Sequence, residues 1–486
     1  NVVLTLTAQS MSPCVVEATS SIQLSITGNA FADAGNNADI CENQTYTLSG
    51  FVANASAFFW QSSGDGTFSP ASSLTPVYTP GVGDLSNGTV VLTLTAQPLT
   101  PCSLADESSL ILSVQPLPVV NAGLDGAICH YQSFALSGTV ENAQSFSWST
   151  SGDGTFDDAG SLNPTYTPGE GDIQAGSVIL TLTAQPLSPC AVAASDQISL
   201  TVNFCHDLTI PTGWSGISTF VDPVNPALEV IFSEVVSDLV ILQSLTGMYW
   251  PAQNVNTIGN WNRNEGYAIK VAGQVSLTIA GSMAESNSLQ LSQGWNLIPV
   301  LSECDADVAA LFNGSGVVVV KEVAGWQLYW PQYSINTLGS LQPGRAYFVL
   351  MSQPASVIFP GCTKNGASSA ANNTNPMMTE MMNTSPWNTF IPTPNAHLVA
   401  IPQEIINTSL IRPGDYLGAF DWKGNCFGLI RWDGATTSMV IFGDDPTTAE
   451  KDGFNPAEPL FFRMFIATTG KEYSVEVTWD SALPQH

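Results

Sequence analysis

Basic side chains are scarce in this chain. Its 486 residues carry 11 Lys and Arg against 40 Asp and Glu, a formal net charge of −29. So anionic a surface repels phosphates and acidic lipid headgroups by Coulomb interaction, which excludes DNA and RNA as partners. Histidine is rarer still: His130, His206, His397 and His486 lie in separate stretches, no two at metal-ligand spacing. A Ser-His-Asp triad would have to draw on a single isolated His. Gly-x-Ser-x-Gly, phosphate-loop and His-Glu-x-x-His motifs are absent. The two carboxylates of a glycosidase can come from anywhere in a chain, but no pair is marked out here. No catalytic residue is assigned and the chain reads as a non-enzyme. Long apolar runs are also missing. The stretch 317–320 falls far short of the roughly 18 residues a membrane-spanning helix needs, so no membrane insertion is expected. Thr, Ser, Asn, Gly and Pro separate short apolar alternations, the pattern of a secreted all-β chain without long helices.

What is present is repetition. The string Val-(Val/Ile)-Leu-Thr-Leu-Thr-Ala-Gln recurs around Val3, Val91 and Ile179, 88 residues apart. The same step relates Cys41 to Cys129, Trp60 to Trp148, Ser-Gly-Asp-Gly-Thr-Phe at 63–68 to 151–156, and Tyr-Thr-Pro-Gly at 78–81 to 166–169. Cys14, Cys102 and Cys190 follow it too. Such an array builds length or multivalency more readily than an active site. Within a repeat the order is Cys, Trp 19 residues later, then Cys 61 residues after the first. An immunoglobulin-type sandwich shows this order when a disulfide ties its sheets beside a core Trp. The expected pairs are Cys41 with Cys102 and Cys129 with Cys190. Cys102 and Cys190 fall several residues past their strands, so the bond should clamp an end of each sandwich. Cys14 is left without a partner because Asn1 enters at a late strand, and further repeats are expected upstream. Disulfides persist in oxidising compartments, which places the chain outside the cell. Asp65 and Asp153 sit on Gly-Asp-Gly tips. A calcium reading competes there with a turn reading, and the turn is preferred because Asp-Gly suits the positive φ of a tight hairpin.

The string Trp-x-x-Ser-Gly-Asp-Gly-Thr-Phe, followed by Tyr-Thr-Pro-Gly and Leu-Thr-Leu-Thr-Ala, resembles the PKD-like and immunoglobulin-like repeats of very large Bacteroidota surface proteins. That group exports adhesins by the type IX system. The resemblance covers residues 1 to about 203 and implies architecture more than activity.

After Cys205 the step changes. Gly213-Trp214 returns as Gly294-Trp295, Tyr249-Trp250-Pro251 as Tyr329-Trp330-Pro331, and Asn256-Thr257-Ile258-Gly259 as Asn336-Thr337-Leu338-Gly339, at offsets of 80 or 81. Two β-rich halves with a short helix each are expected, and together they resemble a duplicated Trp-rich module of the same surface proteins. Cys304 and Cys362 should close the second half, while Cys205 and Cys426 stay unassigned. Trp250 and Trp330, with Tyr249 and Tyr329, could stack on sugar rings or fill a structural corner; packing is the preferred reading. Residues 363–385 lack alternation and read as a linker. Short alternating strands return after Pro386. There Asp444, Asp445, Glu450 and Asp452 share a Gly-bounded loop that could offer oxygen ligands to calcium, although its spacing is not that of an EF-hand. No other cofactor is implied. This segment also resembles a C-terminal module of Bacteroidota exported proteins.

The expected fold is all-β: tandem immunoglobulin/PKD-like sandwiches, a duplicated β-rich module and a C-terminal β-sandwich domain. The expected boundaries are 1–28 (incomplete repeat), 29–116, 117–204, 205–286, 287–362, linker 363–385 and 386–486. The expected function is a non-catalytic extracellular stalk or fibre, with the C-terminal modules in attachment. Its partners would be further repeats, other copies of itself, glycans or cell surfaces. A filament subunit and the binding-module region of a polysaccharide-degrading enzyme are the alternatives.

Overall fold

The computed structural model describes residues 1–283, 286–362, 376–387, 390–406 and 410–479, and it is all-β. It divides into two compact units, Asn1–Val202 and Asn203–His486. Among the described residues no helix is long and apolar enough to cross a membrane, which says nothing of a β-barrel.

In the first unit the Leu-Thr-Leu-Thr strings form strands because apolar residues alternate with Thr. A period of two puts Val90, Leu92, Leu94 and Ala96 on one buried face of Thr89–Pro98. That strand lies between Asp106–Gln115 and Ala55–Ser62, antiparallel to both, while Ala38–Cys41 pairs in parallel with the outer side of Asp106–Gln115. The register sets Leu94 opposite Trp60 and Leu92 opposite Leu110. A second layer of Tyr46–Thr47, Val77–Thr79 and Thr67–Ser69 brings Tyr78 into the same core. The next repeat reproduces this sandwich, with Trp148 opposite Leu182 and Tyr166 in the core. The front of the chain differs. Val2–Ala8 and Ala18–Leu24 pair only with each other, and every residue of both strands is exposed.

In the second unit the duplication is a duplication of structure. Gly213–Ile217, Tyr267–Val271, Leu239–Gln243, Met248–Trp250 and Val255–Asn256 form one five-stranded sheet. Gly294–Ile298, Tyr347–Met351, Val317–Glu322, Leu328–Trp330 and Ile335–Asn336 form another in the same order. Short helices Leu228–Ile231 and Val308–Leu311 cover equivalent faces, with Phe232 and Phe312 fully buried beside them. The last domain is a six-stranded antiparallel sheet built from Ala396–Ile401, Tyr416–Phe420, Cys426–Arg431, Thr437–Phe442, Phe461–Ile466 and Lys471–Val475. Its core is continuous with Val319, Leu328 and Trp330 of the second half.

The expected linker is corrected in part. Pro376–Thr384 is an α-helix, while 363–375 lie outside the described residues. Nine residues are too few to hold a helix in water, so tertiary contacts decide it. Met381 is buried in the terminal core, and the Thr384 and Tyr416 hydroxyls are 2.8 Å apart.

Candidate functional site

The Gly-Asp-Gly tips serve as helix caps. The Asp65 carboxylate accepts the Gly83 and Asp84 amides of helix Val82–Asn87, and Asp153 accepts Gly171 and Asp172 of helix Glu170–Ala175. Beneath them the buried Asp84 and Asp172 accept the Tyr78 and Tyr166 hydroxyls, each at 2.6 Å. Burial, aided by these carboxylates, pushes both phenols up to about 12. The Gly83 amide holds Asp65 below the ordinary carboxyl range, and the Gly171 amide does the same for Asp153. A depressed folded value means that the tip's stability is present above the ordinary carboxyl pKa and is lost as pH falls through the folded value. Protection of the Gly83 and Gly171 amides against hydrogen exchange, taken relative to the intrinsic rate at each pH, should therefore fall below about pH 4, and in Asp65→Asn the acid response at Gly83 should largely vanish. An acid response unchanged in that variant would refute the capping role.

The acidic loop is likewise occupied by protein donors. Asp445 Oδ2 accepts Trp214 Nε1 at 2.6 Å and Lys270 Nζ at 2.7 Å, and its Oδ1 accepts the Thr447 amide and hydroxyl. Asp452 accepts the Asp445 amide, and Asp444 accepts the Asp452 amide. Among the described residues no group of three or more His, Cys, Asp or Glu side chains converges on a metal position. Asp444, Asp445, Glu450 and Asp452 thus form no gathered calcium set, because amides, hydroxyls and an ammonium group take the oxygens of three of them. Asp445 is instead a docking residue, binding residues of the first Trp-rich half to the terminal domain.

Trp250 and Trp330, weighed as a sugar platform or as packing, both lie against apolar clusters. Trp330 is only 8% exposed and packs edge-on to Tyr333 within the terminal core, while Trp250 is half-buried against the cluster of Trp214 and Ile241. The Asn-Thr-x-Gly that follows is a turn device. Asn256 and Asn336 accept the amides of Gly259 and Gly339, which sit at φ of 81° and 69° where a side chain would be strained. Thr257 and Thr337 hydroxyls bond the strand backbone at Met248 and Leu328. His206 is held neutral: burial pulls it down to about 4, and its Nδ1 lies 3.0 Å from the Thr219 hydroxyl.

The cysteine pairing departs most from expectation. Cys41 is bonded to Cys190 in the next repeat, so neither the Cys41–Cys102 nor the Cys129–Cys190 pair exists. Cys304 is bonded to Cys362, and Cys129 and Cys205 are also disulfide-bonded. Cys14 and Cys102 are thiols, as is Cys426, which burial raises to about 12 and so makes unreactive. Cys41 ends a strand lying parallel to Leu112–Gln115, and Cys190 Sγ sits 3.3 Å from the Gln115 carbonyl. The bond therefore crosses the junction between repeats. It closes a loop of 149 residues, which the chain-entropy model values at about 5 kcal/mol.

The exposed aromatic surface lies elsewhere, on the terminal sheet. A groove of about 330 Å³ is lined by Trp422, Phe461, Phe462, Arg463, Ser474 and Trp479, among others. Trp422 is 67% exposed, and Phe461 and Trp479 are exposed beside it. Asp421 orders the turn that holds Trp422 out, accepting the Lys423 and Asn425 amides and the Lys451 ammonium. Burial alone would raise this carboxyl, but hydrogen bonds from Asn425 and Lys451 outweigh it and hold it at about 2. Sequence reading missed the groove because Trp422 and Trp479 belong to no repeat; a Trp on an Asp-Trp-Lys-Gly turn was the available signal.

No protein-family model and no curated protein matches the chain. Among solved structures it is similar to DIP-gamma IG1+IG2, at 12% identity and TM-score 0.25, over 36% of this chain and 99% of that one. An I-band fragment of titin is similar at 11% identity and TM-score 0.26, over 55% and 93%. Mouse protocadherin-24 EC1-3 is similar at 11% and 0.23, over 41% and 79%. Likenesses this loose carry no argument about what the chain binds or does.

Proposed function

We propose that the chain is a non-catalytic extracellular stalk with an adhesive end: β-sandwich repeats carry load, and the terminal domain offers its aromatic groove to a ligand. The Cys41–Cys190 bond carries this reading, because a covalent link between successive sandwiches resists extension and requires an oxidising environment. The resemblance to Bacteroidota adhesin repeats implies a type IX cargo, which fits a disulfide-bearing chain. Exposed indole faces beside Arg463 and Ser474 suit a sugar ring, which presents apolar C–H faces and hydroxyl edges. A net charge of −29 disfavours polyanions, so the ligand is a neutral glycan.

The test is a glycan array probed with the intact chain and with Trp422→Ala/Trp479→Ala. Loss of two stacking faces should weaken binding about tenfold or more, since roughly 1.4 kcal/mol suffices for that factor. Equal binding by the double variant would remove the groove from the adhesive role.

A further inference from the structure

We propose that Cys102 and the bare face of the hairpin at residues 2–24 form a socket for the cysteine-bearing strand of a preceding repeat in the same polypeptide, so that one disulfide threads every junction. This goes beyond the stalk reading and stands whether or not the groove binds a glycan.

The occupied form of the socket is visible one repeat later. The Cys190 amide closes a turn on the Leu187 carbonyl at 2.9 Å, its Sγ lies 3.3 Å from the Gln115 carbonyl and 3.9 Å from that of Pro116, and it is bonded to Cys41. Cys41 arrives on a strand parallel to Leu112–Gln115, opposite Gln115. Cys102 repeats every element but the partner. Its amide closes the same turn on Leu99 at 2.8 Å, and its Sγ lies 3.6 Å from the Thr27 carbonyl and 3.9 Å from that of Gly28, the positions 88 residues before Gln115 and Pro116. Its thiol is free.

An independent observation specifies the occupant. Val2, Leu4, Leu6, Ile22 and Leu24 are 43–76% exposed. Their counterparts one repeat later, Val90, Leu92, Leu94, Leu110 and Leu112, are at most 2% exposed in a core shared with Leu48, Trp60 and Tyr78 of the same repeat. A face with this spacing is covered by a segment of the repeat's own pattern, whose Ala38–Cys41-like strand would run beside residues 24–27 and bring its cysteine to Cys102. The Cys41 of a second copy cannot serve, since it is already bonded to Cys190.

The probe is the peptide Ala-Asp-Ile-Cys-Glu-Asn-Gln, the sequence of 38–44, with its cysteine activated as a mixed disulfide with 5-thio-2-nitrobenzoate. Cys102 thiolate attacks the peptide sulfur, the protein–peptide S–S bond forms, and the nitrothiobenzoate thiolate leaves with the electron pair of the broken bond. With the intact chain under non-reducing conditions, peptide mapping should show Cys102 labelled about tenfold faster than by a scrambled peptide with its Cys in the same place, through docking-raised effective concentration. Cys102 should also lead Cys14, although Cys14 is the more exposed thiol. In Cys102→Ser the advantage of the native over the scrambled peptide should vanish. Equal rates for the two peptides on the unaltered chain, or labelling led by Cys14, would overturn the proposal.

Discussion

Pulled from its two ends under oxidising conditions, the chain should come up at least about 500 Å short of its reduced contour length. The loop closed by Cys41 and Cys190 spans 149 residues, and each extended residue contributes roughly 3.3–3.6 Å. Both complete sandwiches lie largely inside that loop, so their unfolding under tension releases little length until the bond is cut. Adding reductant should restore the missing extension in single-molecule traces. In parallel, mass mapping of non-reduced digests should recover a peptide containing Cys41 joined to one containing Cys190. Identical contour lengths with and without reductant would refute the covalent bypass. A cross-link from Cys41 to Cys102 would refute the junction itself, leaving two separately clamped modules.

Asp445→Ala should cost about 3–5 kcal/mol locally, the usual penalty for removing one partner of a buried ion pair. Asp445 is almost fully buried and accepts both the Lys270 ammonium and the Trp214 indole N–H; its removal strands a charge and a donor together. Hydrogen exchange in strand Gly213–Ile217 and at 443–454 should accelerate by about two to three orders of magnitude, since each 1.4 kcal/mol is tenfold. Asp445→Asn keeps the shape and can still accept from Trp214, so it should fall between the two. Burial alone would raise the Asp445 carboxyl, but bonds from Lys270, Thr447 and Trp214 outweigh it and lower it. The docking contribution is therefore present above the ordinary carboxyl range and fades as pH drops through the folded value. Unchanged exchange in Asp445→Ala would show that the terminal domain is held by apolar contact alone.

Both effects concern partners far apart in sequence. The Trp214–Asp445 contact spans 231 positions and the Lys270–Asp445 contact 175. No local pattern marks them, and the acidic loop read alone resembles a cation site because four carboxylates in nine residues look unpartnered until the fold supplies their donors. The duplicated motifs, by contrast, were legible as structure. Tyr-Trp-Pro and Asn-Thr-x-Gly recur because each half needs the same corner and the same positive-φ turn. What their repetition could not tell is that the second Trp would be buried beneath the terminal sheet, or that the indoles of the groove, Trp422 and Trp479, would sit on unrepeated segments.

The sequence by itself determined the all-β class, the 88-residue repeat and the duplication after Cys205, since alternation and recurrence are properties of the chain read locally. It also pointed to disulfides, through cysteines placed at regular steps. Only the tertiary structure decided which cysteines meet. In a periodic array, pairing within one repeat and pairing with the next leave the same pattern of positions, differing by one repeat length. The choice falls to where strand ends converge in space, and Cys190 closes its turn beside the Gln115 carbonyl, opposite which the Cys41 strand ends. Buried charge follows the same rule: whether an aspartate faces water, a cation or a helix end depends on the donors that folding brings to it.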